Sequence, residues 1–304
     1  MEPLADTLAD PKALARELDR VGYLPDAGLA TAVFLSLAMG RPLLLEGDPG
    51  TGKTALAHAM AEVVGRPLLR LQCYEGIDAS QALYDWDFPA QLLHLRAAEA
   101  AGEASSTEAL EAELHDRRFL LSRPLLAALE TSKPGAPAVL LIDEVDRADG
   151  EFEAFLLEIL SDWTVTVPEL GTITATAPPL VVLTSNRTRE LHDALKRRCL
   201  YHWLEHPAYE RELAIVRRRV PEASTRLAEE VTRVAQALRG ADLLKPPGLA
   251  ESLDWARALV VLGARDVDED LAAQTLGALV KYREDAERIE RAGGLLALAE
   301  AVGE

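Results

Sequence analysis

The sequence predicts an α/β fold, a parallel sheet covered by helices on both faces, followed by an all-helical domain. Three observations carry this expectation. Short apolar runs alternate with helical stretches through the first two thirds of the chain; a glycine-rich turn lies between the first run and a helix; and strand signals vanish after Pro207. A length of 304 residues suits one large domain with an attachment, or two domains. The composition shift places the first at 1–207 and the second, helical, at 208–304.

Taken in order, residues 12–39 read as helical, and Gly40 and Pro42 end the pattern. Leu43–Leu45 is a short apolar strand that stops at the glycine-rich turn. An Ala-rich helix follows from Lys53 to Val64. Further strands are expected at Pro67–Cys73, Ala138–Ile142, Leu180–Thr184 and Tyr201–Glu205, which makes five. An insert of about 74–137 separates the second strand from the third, and its portion 97–116, rich in Ala and Glu, reads as an exposed helix or excursion. Residues 164–175 alternate β-branched and other side chains around a Pro-Glu-Leu-Gly turn, the pattern of a β-hairpin. The remainder, 208–304, reads as a bundle of short helices, and no internal repeat is visible.

Composition excludes several classes of function. With 32 Lys+Arg against 50 Asp+Glu the net charge is −18, a poor basis for non-specific nucleic-acid binding, which needs clustered cations. The two cysteines, Cys73 and Cys199, form neither a zinc pattern nor a disulfide framework, as in a reduced cytoplasmic protein. The longest apolar run, Leu29 to Met39, is shorter than a membrane span, and the acidic N-terminus is unlike a secretory signal.

The chemistry is concentrated in two segments. Gly47-Asp48-Pro49-Gly50-Thr51-Gly52-Lys53-Thr54 matches G-x-x-x-x-G-K-[ST], with a strand before it and a helix after it. Glycines let backbone N–H groups turn toward phosphate oxygens, and the helix N-terminus presents its positive end to them. Lys53 is placed for the β/γ-phosphates of ATP, and the Thr54 hydroxyl for Mg²⁺. The second segment, Val139-Leu140-Leu141-Ile142-Asp143-Glu144, is an apolar strand ending in two acids. Asp143 is expected to hold Mg²⁺ through water, and Glu144 to polarise the attacking water as general base. Acids at a helix start are the bland alternative; the phosphate motif upstream outweighs it. Asn186, the only Asn in the chain, closes the fourth strand in Thr184-Ser185-Asn186, where its side chain can position that water beside Glu144.

Downstream, adjacent arginines Arg197 and Arg198 precede the fifth strand, and Arg257 lies in a helix of the C-terminal part. In an Arg-rich chain each has an alternative as a solvated or salt-bridged surface residue. This succession of parts resembles the AAA+ ATPases, with their P-loop core and helical lid. Within them it resembles the MoxR family, through the run Leu141-Ile142-Asp143-Glu144-Val145-Asp146-Arg147-Ala148, the helix after it and the hairpin at 164–175. The resemblance extends from about Tyr23 to Tyr282. It implies Walker A at 47–54, Walker B at 139–144, sensor 1 at Asn186, an arginine finger at Arg197 or Arg198, and sensor 2 at Arg257. Arg198, nearest the strand, better matches the family's final arginine; whether Arg257 acts in cis or in trans stays open.

The same resemblance implies Mg²⁺-dependent ATP hydrolysis by a homo-oligomeric ring, commonly a hexamer, which remodels a protein client. It also implies a von Willebrand factor A domain partner and a place in assembling protein complexes or metalloenzymes. A DNA-handling motor or loader is the alternative, since this hairpin also occurs in helicase relatives; the charge of −18 counts against it. Two departures stand out. Asp146 replaces the family's usual Asn, and Arg187–Asp193 differs from the usual segment after sensor 1, as in a divergent branch similar to the carbon monoxide dehydrogenase maturation ATPases.

Two further motifs invite a bland reading. His202-Trp203-Leu204-Glu205-His206 matches a zinc-peptidase pattern, but on a strand the two histidines would lie roughly 13 Å apart, too far to share an ion. The aromatics of Tyr84-Asp85-Trp86-Asp87-Phe88 either project toward a client or, as aromatics more often do, pack the insert on its core.

Overall fold

In the computed structural model, residues 9–101, 113–168 and 170–303 are described. The chain begins with α1 (Pro11–Arg20), α2 (Ala27–Met39), β1 (Leu43–Glu46), α3 (Lys53–Val64) and β2 (Leu68–Gln72). The insert then supplies α4 (Ala79–Leu83), β3 (Tyr84–Trp86), α5 (Phe88–Ala101), β4 (Leu120–Ser122) and α6 (Pro124–Thr131). Next come β5 (Val139–Asp143), α7 (Gly150–Asp162), β6 (Thr164–Val167), β7 (Gly171–Thr174), β8 (Leu180–Ser185), α8 (Asp193–Arg198) and β9 (Leu200–Trp203). Six helices complete the chain: α9 (Tyr209–Arg219), α10 (Thr225–Gly240), α11 (Leu249–Val261), α12 (Glu269–Leu279), α13 (Arg283–Arg291) and α14 (Leu295–Gly303).

The main sheet is parallel and five-stranded, in the order β2-β5-β8-β1-β9. β1, β5 and β8 are buried at every residue, which is why they read as unbroken apolar runs rather than alternating ones. β2, at the sheet edge, exposes Arg70. The register sets Leu45 beside Thr184 and Ile142 beside Leu183, so β1, β5 and β8 finish at one level.

Two expectations about the elements need correction. The stretch 12–39 is two helices, because Gly22 takes a positive φ of +82° and Pro25 follows, ending the first helix. The fifth strand runs Leu200–Trp203 and stops before Leu204. The hairpin expected at 164–175 is present as antiparallel β6 and β7, with Glu169 in its turn outside the described residues. Of the Ala/Glu-rich 97–116 portion, residues 97–101 close α5 and 102–112 lie outside the described residues. β3 pairs with β4 in a small antiparallel sheet unforeseen from sequence. Tyr84 and Trp86 pack against the core there, edge to face at 6.1 Å, while Phe88 is exposed.

The chain divides into two compact units. One comprises the start of the chain through Leu14, Ala27–Glu46 and Met60–His202; the other comprises Ala15–Asp26, Gly47–Ala59 and the chain from Trp203 onward. The first has its core around Leu44, Leu140, Ile142, Phe152 and Val181, and the second around Val216, Leu227, Trp255 and Leu259. Inside the second, Glu212 on α9 is fully buried and accepts hydrogen bonds from both terminal nitrogens of Arg239, at 2.5 and 2.7 Å. Gln236 and Ser252 donate to the same carboxylate, joining α9, α10 and α11. Among the described residues no helix is long and apolar enough to cross a membrane.

Two measurements test this packing. Glu212→Ala strands a buried guanidinium and should destabilise the helical unit by about 3–5 kcal/mol in denaturant unfolding; Glu212→Gln should lose less, and an unchanged midpoint would refute the role given to the pair. Burial pushes both thiols up to about 12, reinforced at Cys73 by Asp143 and its neighbouring acids and partly offset at Cys199 by Arg41. A thiol reagent at about pH 8 should therefore label neither cysteine until the protein unfolds.

Candidate functional site

From Glu46, the last residue of β1, the chain enters the glycine-rich turn directly, and α3 opens at Lys53. Gly47 has a φ of +154°, and a Cβ added to it would stand 2.3 Å from the Leu204 carbonyl oxygen, so only glycine fits. Gly50 and Gly52 also take positive φ, which curls the turn. The buried Lys53 ammonium donates to the Gly47 and Asp48 carbonyls at 2.7 and 2.8 Å, inside that curl. Thr51 Oγ1 donates to the Asp48 carbonyl at 2.9 Å, Asp48 and Pro49 are exposed at the tip, and Thr54 is half-buried in the first turn of α3. The Leu249 N–H, at the start of α11, donates to the Gly50 carbonyl.

His206 lies beyond the end of β9, with Nε2 3.8 Å from Asp48 Oδ2, whereas His202 is within the strand. Burial, followed by the charge of Arg239, lowers its pKa, and its Nδ1 is buried with no hydrogen-bond partner among the described residues. Sequence reasoning considered this histidine only as a metal ligand and missed its place beside the turn.

At the end of β5 the two acids are fixed by side chains from both neighbouring strands. Asp143 is buried; its Oδ1 accepts from Thr184 Oγ1 at 2.6 Å, and its Oδ2 from Arg70 Nη2 at 2.6 Å and Nε at 3.1 Å. Glu144 takes a left-handed φ of +55°, a strained conformation for a residue with a Cβ. Its N–H donates to Thr184 Oγ1 at 2.9 Å, which supports that conformation. Its carboxylate accepts from Gln72 Nε2 and Arg147 Nη1, both at 3.0 Å. Arg70, Gln72 and Thr184 were not singled out from sequence. Their signal was positional: each sits at or just before the end of a strand flanking the acid pair.

Asn186 follows β8, half-buried, and among the described residues its side-chain amide has no hydrogen-bond partner. Its N–H, the Thr188 N–H and Thr188 Oγ1 all donate to Asp146 Oδ2, at 3.2, 2.8 and 2.7 Å. A carboxylate at 146 is acceptor-only and suits three converging donors. Similarly Arg189 pairs with the buried Glu153 and donates to the Ala148 carbonyl at 2.6 Å, and the His192 N–H donates to Glu153.

The arginines lie elsewhere. Arg197 and Arg198 are exposed at the end of α8, and among the described residues neither guanidinium has a partner. Arg41, two residues before β1, donates to both their carbonyls, which places them at the end of the sheet where β1 begins. Asp143 is at the other end, and β1 between them spans roughly 13 Å. Arg257 is exposed on α11, roughly 12 Å along the helix from Leu249, with Nη1 3.2 Å from Asp254 Oδ1. It lines a depression of about 640 Å³ with Arg20, Arg217, Arg218 and Arg219, which the glycine-rich turn does not line.

The curled turn with its enclosed ammonium suits phosphate, and the Thr54 hydroxyl beside it is a hard oxygen donor. In the other unit, the carboxylate of Asp143 is a hard oxygen donor of the kind Mg²⁺ takes.

Comparisons with known proteins supply the family. Midasin of Giardia intestinalis is 45% identical over 62 residues, covering 20% of this chain and 1% of midasin. The uncharacterized protein YehL of Escherichia coli (strain K12) is 29% identical over 178 residues, covering 55% of this chain and 42% of YehL. This chain spans less than half the length of the curated relatives it matches. Among solved structures, the RuvB Holliday junction branch migration motor of Thermotoga maritima aligns with 95% of this chain and 81% of its own, at a TM-score of 0.46 and 16% identity. A family model for the AAA domain, dynein-related subfamily, matches residues 42–199, from the residue before β1 to the residue before β9. That stretch is just over half of the chain and includes both the glycine-rich turn and the acid pair, and by it the chain belongs to the AAA domain family, dynein-related subfamily.

Proposed function

We propose that this chain hydrolyses ATP in a Mg²⁺-dependent reaction, as a MoxR-type, ring-forming remodeller of a protein client. The observation that carries the reading is the level ending of β1, β5 and β8. The phosphate-binding turn follows Glu46 directly in the chain, and Asp143 and Glu144 are held at the level at which that strand, β1, ends. Lys53 neutralises charge on the β/γ-phosphates, and the turn's N–H groups orient them. Thr54 and, through water, Asp143 hold Mg²⁺, which supplies charge neutralisation at the phosphate oxygens. Glu144 accepts the proton of the attacking water, and the Asn186 amide orients that water. Action on a protein client, hexameric assembly and a von Willebrand factor A domain partner are carried from the MoxR resemblance, whose run 141–148 and hairpin at 164–175 support it.

Lys53→Ala should abolish nucleotide binding, measured with a fluorescent ATP analogue. Glu144→Gln should keep binding and lower turnover by ~10²–10⁴, because only the base is removed. Equal loss of binding in both variants would overturn these roles.

The placement of Arg197 and Arg198 at the opposite end of the sheet from Asp143 supports their service to a neighbouring subunit's γ-phosphate. Such a finger is worth ~10³–10⁵ in rate, and head-to-tail contacts of this kind close into rings. Subunits carrying Glu144→Gln should regain activity when mixed with subunits carrying Arg197→Ala and Arg198→Ala, although each is inactive alone. Near-normal turnover by the double-arginine variant alone, or dead mixtures despite co-assembly, would refute the shared site.

A further inference from the structure

Arg70 belongs to none of the motifs, yet it contacts the buried acid at the end of β5 with two nitrogens. It stands on the edge strand β2, two residues before Gln72, so both side chains project from one face of the strand. Its guanidinium reaches past one strand position to Asp143 Oδ2, with two nitrogens at 2.6 and 3.1 Å, and donates to Gln72 Oε1 at 2.5 Å. The pair is asymmetric: the Asp143 side chain is 4% exposed and that of Arg70 is 49% exposed. The carboxylate is locked by Thr184 and the sheet, whereas the guanidinium is on a long, solvent-reaching stem. If the two separate, the arginine moves and the aspartate stays.

We propose that Arg70 is the resident counter-cation of Asp143, against which an incoming divalent cation must compete. It would thereby set the Mg²⁺ concentration at which nucleotide binds tightly. A guanidinium in direct contact with Asp143 Oδ2 cancels much of the negative potential that would draw a second cation. Removing that charge strengthens the pull of Asp143 on Mg²⁺. Gln72 offers the released guanidinium a second acceptor, and because its amide also donates to Glu144, one run of side chains extends Asp143–Arg70–Gln72–Glu144 along the sheet edge. Arg70 is in this account a positioning residue. The inference rests on the reading of Asp143 as the carboxylate that holds Mg²⁺.

The test is a Mg²⁺ titration of the affinity for a fluorescent, non-hydrolysable ATP analogue, using the full chain and reading binding rather than turnover. In Arg70→Ala and Arg70→Gln the Mg²⁺ midpoint should fall about tenfold, the size expected from losing a charge-assisted contact. Arg70→Lys keeps a cation and should remain within about twofold of the unaltered protein. Thermal melts without Mg²⁺ confirm that the variants are folded, which an exposed edge-strand position favours. An unchanged midpoint in Arg70→Ala, a shift to higher Mg²⁺, or an equal shift in Arg70→Lys would overturn the proposal. If the unaltered protein bound the analogue with no Mg²⁺ dependence, the reading of Asp143 itself would fall.

Discussion

Because β5 runs in parallel register between β2 and β8, its last residue meets side chains from both neighbours at once, and the acidic half of the site is built on that fact. Thr184 donates to Asp143 with its hydroxyl hydrogen and accepts the Glu144 N–H on the same oxygen. A single threonine therefore fixes the carboxylate of one acid and the strained backbone of the next. The strain at Glu144 is tolerable only while the partner strand stays in place, since a one-residue slip would carry Thr184 to the opposite face of the sheet. From the other side, Arg70 and Gln72 restrain the two carboxylates separately.

The same economy governs the segment after β8. Asp146 draws Asn186 and Thr188 to itself, and Glu153 draws Arg189 and His192. Both carboxylates are buried and need donors to offset desolvation: the loop supplies them to both oxygens of Glu153 and to Oδ2 of Asp146, whose buried Oδ1 has no hydrogen-bond partner among the described residues. The consequence is that Asn186 is held by its backbone, which leaves its amide uncommitted among the described residues. The main chain is fixed there and the side chain's hydrogen-bonding capacity is unspent among the described residues.

In the helical unit the organising contact is again an ion pair. Glu212 and Arg239 are joined by Gln236 and Ser252, so three helices share one polar centre within an otherwise apolar core. Buried pairs of this kind cost desolvation energy comparable to what their attraction returns. Their effect here is geometric, because the bonds from α10 and α11 to one carboxylate define how those helices sit against α9.

How much of this was legible in the amino-acid sequence varies with the range of the interaction. The glycine-rich turn, the α3 helix from Lys53 to Val64, the buried strands and the β6–β7 hairpin are local, since apolar periodicity and glycine spacing specify them within a dozen residues. The break at Gly22 and Pro25 was also written there, but the apolar periodicity on either side masked it. Arg70, Gln72 and Thr184 carry no such mark. They are ordinary residue types, and each acquires its partner only when strands or loops 40 to 73 residues apart are brought side by side. The linear order of residues therefore marks the glycine-rich turn and the two acids as candidates by motif and residue type. Which neighbours restrain them was settled on folding, because parallel pairing joins segments that are not adjacent in the chain, and no local pattern records who will stand beside whom.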